Sequence, residues 1–171
     1  MPLSRRRFIR LTIGVGLVAS SGYIFKDVFL PAQLDAGERR TFESFLETLI
    51  PSDETPGALQ LGVGKKILEN ASQDVKYRRL MRDGCAWLNR RARERAGAVF
   101  LSLDESRRED IVGESAGSPA GSVPRIFFER MRSDAFFQYY AHPAAWKGLG
   151  YKGPPQPDGY PDYTSPQSFR S

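Results

Sequence analysis

After Pro31, apolar residues recur every third or fourth position through most of the chain, the spacing of helices that bury one face. Asp35 followed three residues later by Glu38 is a capping pair. Phe42, Phe45, Leu46, Leu49 and Ile50 then repeat at helical spacing until Pro51 stops the run. This predicts a four-turn amphipathic helix over residues 35–50. PSDETPG, residues 51–57, is a turn-rich connection, and a second, Gly-interrupted helix is predicted over 58–70. A longer helix over 73–96 places Tyr77, Leu80, Met81, Cys85, Leu88 and Ala92 on one stripe and turns its arginines outward. Ser102 with Glu105 resembles another capping box, opening a short helix to about residue 114 that carries Ile111 and Val112 inward. GESAGSPAGS, residues 113–122, reads as a loop of small residues.

The next segment, VPRIFFERMRSDAFFQYYAHP over 123–143, has too many apolar positions for one narrow stripe. A helix apolar most of the way round is buried on most sides, by its own domain or by a partner. The fold class that follows is all-α: a domain of about five helices over residues 31–147, preceded by a separate segment, 1–30, and followed by an arm, 148–171. The arm holds five prolines, four glycines and four aromatics, so neither a helix nor a central strand is expected in it. Its composition fits a solvated tail, whereas Tyr151, Tyr160, Tyr163 and Phe169 suit an extended arm lying across a neighbouring surface.

Charge changes the picture only at the front of the chain. The net charge is +5, and residues 1–30 carry +4 of it: Arg5, Arg6, Arg7, Arg10 and Lys26 against Asp27. The rest is nearly neutral, so global basicity does not point to a nucleic-acid partner. One local basic run, residues 76–95, fits a solvated helix face or one side of an acidic interface.

Little in the chain offers chemistry of its own. Cys85 and His142 are the single residues of their kinds, too few for a zinc or iron–sulfur site, and a lone cysteine closes no intramolecular disulfide. Cys85 reads as a small buried apolar residue, a bridge to a partner chain being the other reading. Gly57 to Gly62 lacks the Lys and Ser or Thr of a phosphate loop, since Val63 and Gly64 follow. A nucleophile–base pair built on His142 with Ser133 or Asp134 is conceivable. A His-Pro junction at a helix end, however, is also a structural stop.

The first residues form a positive stretch followed by fifteen uncharged residues, 11–25, the layout of an export signal. That run is shorter than the about 20 apolar residues of a membrane span. Val28, Phe29 and Leu30 extend it, so a cleaved signal and a retained anchor both stand. Ser4-Arg5-Arg6-Arg7-Phe8-Ile9-Arg10 resembles the twin-arginine export signal, with Phe8 and the aliphatic Ile9 at the offsets that distinguish it from a generic basic stretch. That pathway carries proteins already folded, often around a cofactor.

Two stretches carry a resemblance to a known family. LETLIPSDETPGALQLGV, residues 46–63, and MRSDAFFQYYAHPAAWKGLGYKGPPQPDGYPDY, residues 131–163, resemble the gluconate 2-dehydrogenase subunit 3 family. The most specific parts are Ile50-Pro51 with the acidic turn, and His142-Pro143, Trp146 and Leu149-Gly150-Tyr151. The resemblance implies a non-catalytic small subunit beside a large flavoprotein of the glucose-methanol-choline type that oxidises a sugar or polyol. It places FAD in that flavoprotein and haem c in a possible c-type cytochrome subunit, with no cofactor, catalytic or metal site in this chain. It further implies a periplasmic, membrane-associated protein acting as chaperone and export escort, with Arg5, Arg6, Phe8 and Ile9 engaging the twin-arginine translocase. Phe127, Phe128, Phe136, Phe137, Tyr139, Tyr140, Trp146, Tyr151 and Tyr160 are then the candidate partner contacts. The rival expectation is an autonomous exported binding module, or a small periplasmic enzyme using His142.

Overall fold

The computed structural model describes residues 33–151 and 153, which form α-helices and two 3-10 helices with no strand among them. The helices are α1 (Ala36–Leu49), α2 (Val63–Gln73), α3 (Val75–Ala96), α4 (Glu105–Gly117) and α5 (Val123–Tyr140). The 3-10 segments are Phe100–Ser102 and Pro143–Leu149. This is the all-α class expected, with five α-helices among the described residues. Among the described residues no helix is long and apolar enough to cross a membrane.

α1 starts as its sequence predicts. The Asp35 carboxylate accepts from the Glu38 amide, and Glu38 accepts in return from the Asp35 amide, both at 2.8 Å. The second helix departs from expectation, beginning at Val63 rather than near residue 58. Residues 58–62 make a separate turn that closes on Gly62, whose φ of 70° lies in the left-handed region, and the helix restarts from there. α2 continues to Gln73, so a single residue, Asp74, separates it from α3. The Asp74 carboxylate caps α3 by accepting from the amides of Lys76 and Tyr77. α4 is capped by Asp104, not by Ser102. Phe100 and Leu103 are both buried, and their three-residue spacing fits a 3-10 turn that delays the helix. α4 then runs to Gly117, past the expected end near 114.

The core is built where α5 crosses the other helices. α5 packs on α3, α4 and α2, and α1 packs on α3 and α4. Along α5 the fully inward residues are Phe127, Met131, Ala135 and Tyr139, one every four positions, and Phe127 meets Phe45 with ring centroids 4.9 Å apart. Gly84 in α3 faces the Phe127 ring: a Cβ there would lie 2.2 Å from Cγ and Cδ2 of Phe127. Glycine within a helix costs about 1 kcal/mol in propensity, and here it allows the two helices to approach. Asn89 links three elements, donating to Thr41 of α1 at 2.9 Å and accepting from the Phe100 amide at 3.1 Å. Ser115 donates to the carbonyl of Pro124 at 2.7 Å, tying the end of α4 to the start of α5.

The basic run on α3 is only partly a solvated face. Arg91 and Arg95 both pair with Glu114 of α4, and Arg82 pairs with Glu38 of α1 at 3.2 Å. Arg78, expected outside, is buried, and Leu80, expected on the inward stripe, is half-buried. Cys85 is interior, as its apolar reading requires.

Candidate functional site

Two stretches distant in sequence meet at the C-terminal end of α5. The turn after α1 closes on itself: the Ala58 amide donates to the Ile50 carbonyl at 3.0 Å, and Gln60 Oε1 accepts from the Gly57 amide and the Ser52 hydroxyl. Gly57 is needed for this, since a Cβ there would lie 2.8 Å from the Ser52 nitrogen. Tyr139 of α5 then holds the turn, donating its hydroxyl to the Pro56 carbonyl at 3.0 Å and lying 3.2 Å from the Thr55 hydroxyl. The Thr55 amide and hydroxyl donate to the Asp53 carboxylate and hold it below its ordinary pKa. Asp53 therefore stays ionised on the surface.

α5 ends at the His142-Pro143 junction. Proline disfavours helical backbone in the residue before it, and His142 is extended, with φ −92° and ψ 125°. Its Nδ1 accepts from the Ala144 amide at 3.2 Å, which caps the 3-10 helix Pro143–Leu149. That helix includes Gly148 and Leu149, two residues expected in the extended arm, and Gly150 then turns the chain with φ 65°. Trp146 folds back and donates its indole N–H to the Tyr140 carbonyl at 2.7 Å. Asp134, a conceivable partner for His142, is instead engaged by the Tyr77 hydroxyl at 2.6 Å and by Arg130 at 2.7 Å. His142 thus acts as a cap, and Asp134 is committed elsewhere.

These contacts order an apolar surface. Phe137 is 73 % exposed, Leu149 64 %, Tyr151 50 % and Tyr140 44 %. Phe136 stacks on Tyr140 with centroids 5.9 Å apart, and Tyr151 meets Trp146 edge-on at 5.2 Å. A shallow cleft of about 280 Å³ between Tyr140, Leu149, Thr55 and Asp53 marks the rim. Of the aromatic residues expected to contact a partner, Phe136, Phe137, Tyr140, Trp146 and Tyr151 gather here. Phe127 and Tyr139 do not face outward: both are core residues, turned inward with Met131 and Ala135 against the helices that α5 packs on. Phe128 is half-buried about 12 Å along α5 from Phe136, with Arg132 over its ring. Tyr160 and the targeting residues Arg5, Arg6, Phe8 and Ile9 lie outside the described residues. Leu149 was not among the expected contacts, although an apolar residue between two glycines was a visible signal.

The two stretches that Tyr139 joins are those that carry the family likeness, and a profile of the gluconate 2-dehydrogenase subunit 3 family matches residues 36–153. The chain belongs to the gluconate 2-dehydrogenase subunit 3 family. No curated protein and no solved structure matches it. The family's name describes one subunit of a multi-subunit dehydrogenase. Within this member, Tyr139 and Gly57 are explained as the parts that fix the acidic turn beside the apolar surface.

Proposed function

We propose that this chain is the non-catalytic small subunit of a periplasmic or membrane-associated FAD-dependent sugar or polyol dehydrogenase, and that it serves as folding support and export escort for the flavoprotein subunit. In this reading the FAD belongs to the flavoprotein and haem c to a cytochrome subunit, while this chain contributes a docking surface and a signal. The observation that carries it is the apolar surface of Phe137, Tyr140, Leu149 and Tyr151 in a member of a dehydrogenase-subunit family. Large exposed apolar patches favour protein contacts, and aromatic anchors dominate binding energy. Here the Tyr140 ring stacks on Phe136, and the Tyr151 ring meets Trp146, itself fixed by its hydrogen bond, so these two rings lose little side-chain freedom on docking.

The stretch of residues 4–10, with its likeness to a twin-arginine signal, supports the export half. A twin-arginine signal on a subunit that binds a folded, FAD-loaded partner would take both chains across the membrane together. Changing Arg5→Lys and Arg6→Lys together is expected to leave the flavoprotein and its dehydrogenase activity in the cytoplasm, measured by fractionation. Normal periplasmic activity in that strain would overturn the escort role.

A further inference from the structure

A second feature lies where α3 begins beside the end of α2. Arg78 is only 7 % exposed. Its Nη1 donates to the carbonyls of Ala71 at 3.1 Å and Ser72 at 2.7 Å, at the C-terminal end of α2, and its Nε, sealed from solvent, has no hydrogen-bond acceptor. Among the described residues no carboxylate pairs with it. The end of a helix supplies roughly half a negative charge, so α2 offsets part of the buried guanidinium and leaves the remainder without a counter-charge.

Arg78 lines a cavity of about 300 Å³, within the range that holds small organic ligands. Leu34, Leu68 and Ala71 make the apolar part of its wall, and Arg39, Lys65 and Glu69 stand with Arg78 as the charged part. Three cations thus face one carboxylate. Arg39 is engaged by Glu43 at 2.9 Å, and Glu69 is shared between Lys65 at 4.0 Å and Lys66 at 3.7 Å. The uncompensated charge is therefore concentrated at Arg78. One buried guanidinium beside apolar wall suits a single planar carboxylate better than a phosphate dianion, which needs several free donors.

We propose that this cavity binds a small organic monocarboxylate with an apolar body, its carboxylate toward Arg78 and Lys65 and its hydrocarbon against Leu34 and Leu68. The site is independent of the docking surface at the end of α5. It does not require the subunit reading.

The test is calorimetric titration of the full chain in mild detergent with hexanoate at fixed ionic strength, with hexanol as the neutral control. The expected result is saturable binding of one hexanoate per chain, with hexanol weaker by about tenfold or more. Lys65→Glu, at an exposed rim position, is expected to weaken hexanoate severalfold, and Leu68→Trp to abolish binding by filling the space. Arg78→Met should abolish it as well. Should that variant fail to fold by circular dichroism, the Lys65 and Leu68 variants decide alone. Absence of saturable binding, equal affinity for hexanol, or hexanoate binding unchanged in any one of Lys65→Glu, Leu68→Trp or a folded Arg78→Met protein would overturn the site.

Discussion

Cys85 and Tyr77 on α3 both hold their protons above the pH at which such groups ordinarily release them. Burial is the main cause for each. The charges of Glu38 and Asp35 add to it at Cys85, and the hydrogen bond to Asp134 adds to it at Tyr77. For both, the folded protein favours the neutral form more than the unfolded chain does. Their contribution to stability is therefore complete below the ordinary values, 9.0 for the thiol and 10.0 for the phenol, and falls as pH rises through and beyond them. The thiol alone can steepen the loss by up to about 1.4 kcal/mol per pH unit above pH 9. Urea unfolding between pH 7 and 10.5 is expected to show this decline, with a shallower slope above pH 9 in Cys85→Ala. Identical slopes would show that the thiol does not contribute. The burial of Cys85 was legible from its place on the apolar stripe. That of Arg78 was not, because nothing in the local pattern shows that the end of a preceding helix offers its carbonyls to that side chain.

Element boundaries were readable wherever one cap had no competitor, as at Asp35 and Glu38. Before α4 two signals compete, Ser102 with Glu105 and Asp104 with the Arg107 amide. The burial of Phe100 and Leu103 decides between them through the 3-10 turn they form. Asp104→Ala is expected to cost about 1 kcal/mol of unfolding free energy, whereas Ser102→Ala should change it by less than about 0.5 kcal/mol. Chemical denaturation of the two variants checks this, and the reverse order would place the cap at Ser102. α5 shows a different limit. Its apolar residues surround the helix, so no single stripe separates Phe127 and Tyr139, which are core, from Phe137 and Tyr140, which are exposed; only the neighbouring helices make that distinction.

At the scale of the whole molecule, the core and the candidate surface share one helix, α5, with the acidic turn and the second 3-10 helix held against its end by Tyr139 and Trp146. The helical class and the aromatic character of the surface were visible in the sequence. The joining of residues 51–57 to Tyr139 was not, since it depends on a contact more than eighty positions apart. Phe137→Asp combined with Leu149→Asp should leave the melting temperature close to that of the unaltered protein, both side chains being largely exposed. In the proposed complex the pair is expected to weaken binding of the flavoprotein by about 2 kcal/mol or more, roughly thirtyfold, read by co-purification and titration. Unchanged affinity would place the docking surface elsewhere.

Gly84 sets how near α5 lies to α3, and the exposed rings of Phe137 and Tyr140 ride at the far end of α5, about 15–20 Å from the Phe127 contact. A methyl group at Gly84 works like a shim under one end of a lever: Phe127 must yield, and α5 tilts or slides. Gly84→Ala, remote from the candidate surface, is thus expected to lower flavoprotein affinity as well as stability, the latter by about 1–3 kcal/mol. Both are measurable on the same preparation. A loss of stability with affinity intact would show that the Phe127 ring absorbs the strain and that the surface keeps its alignment.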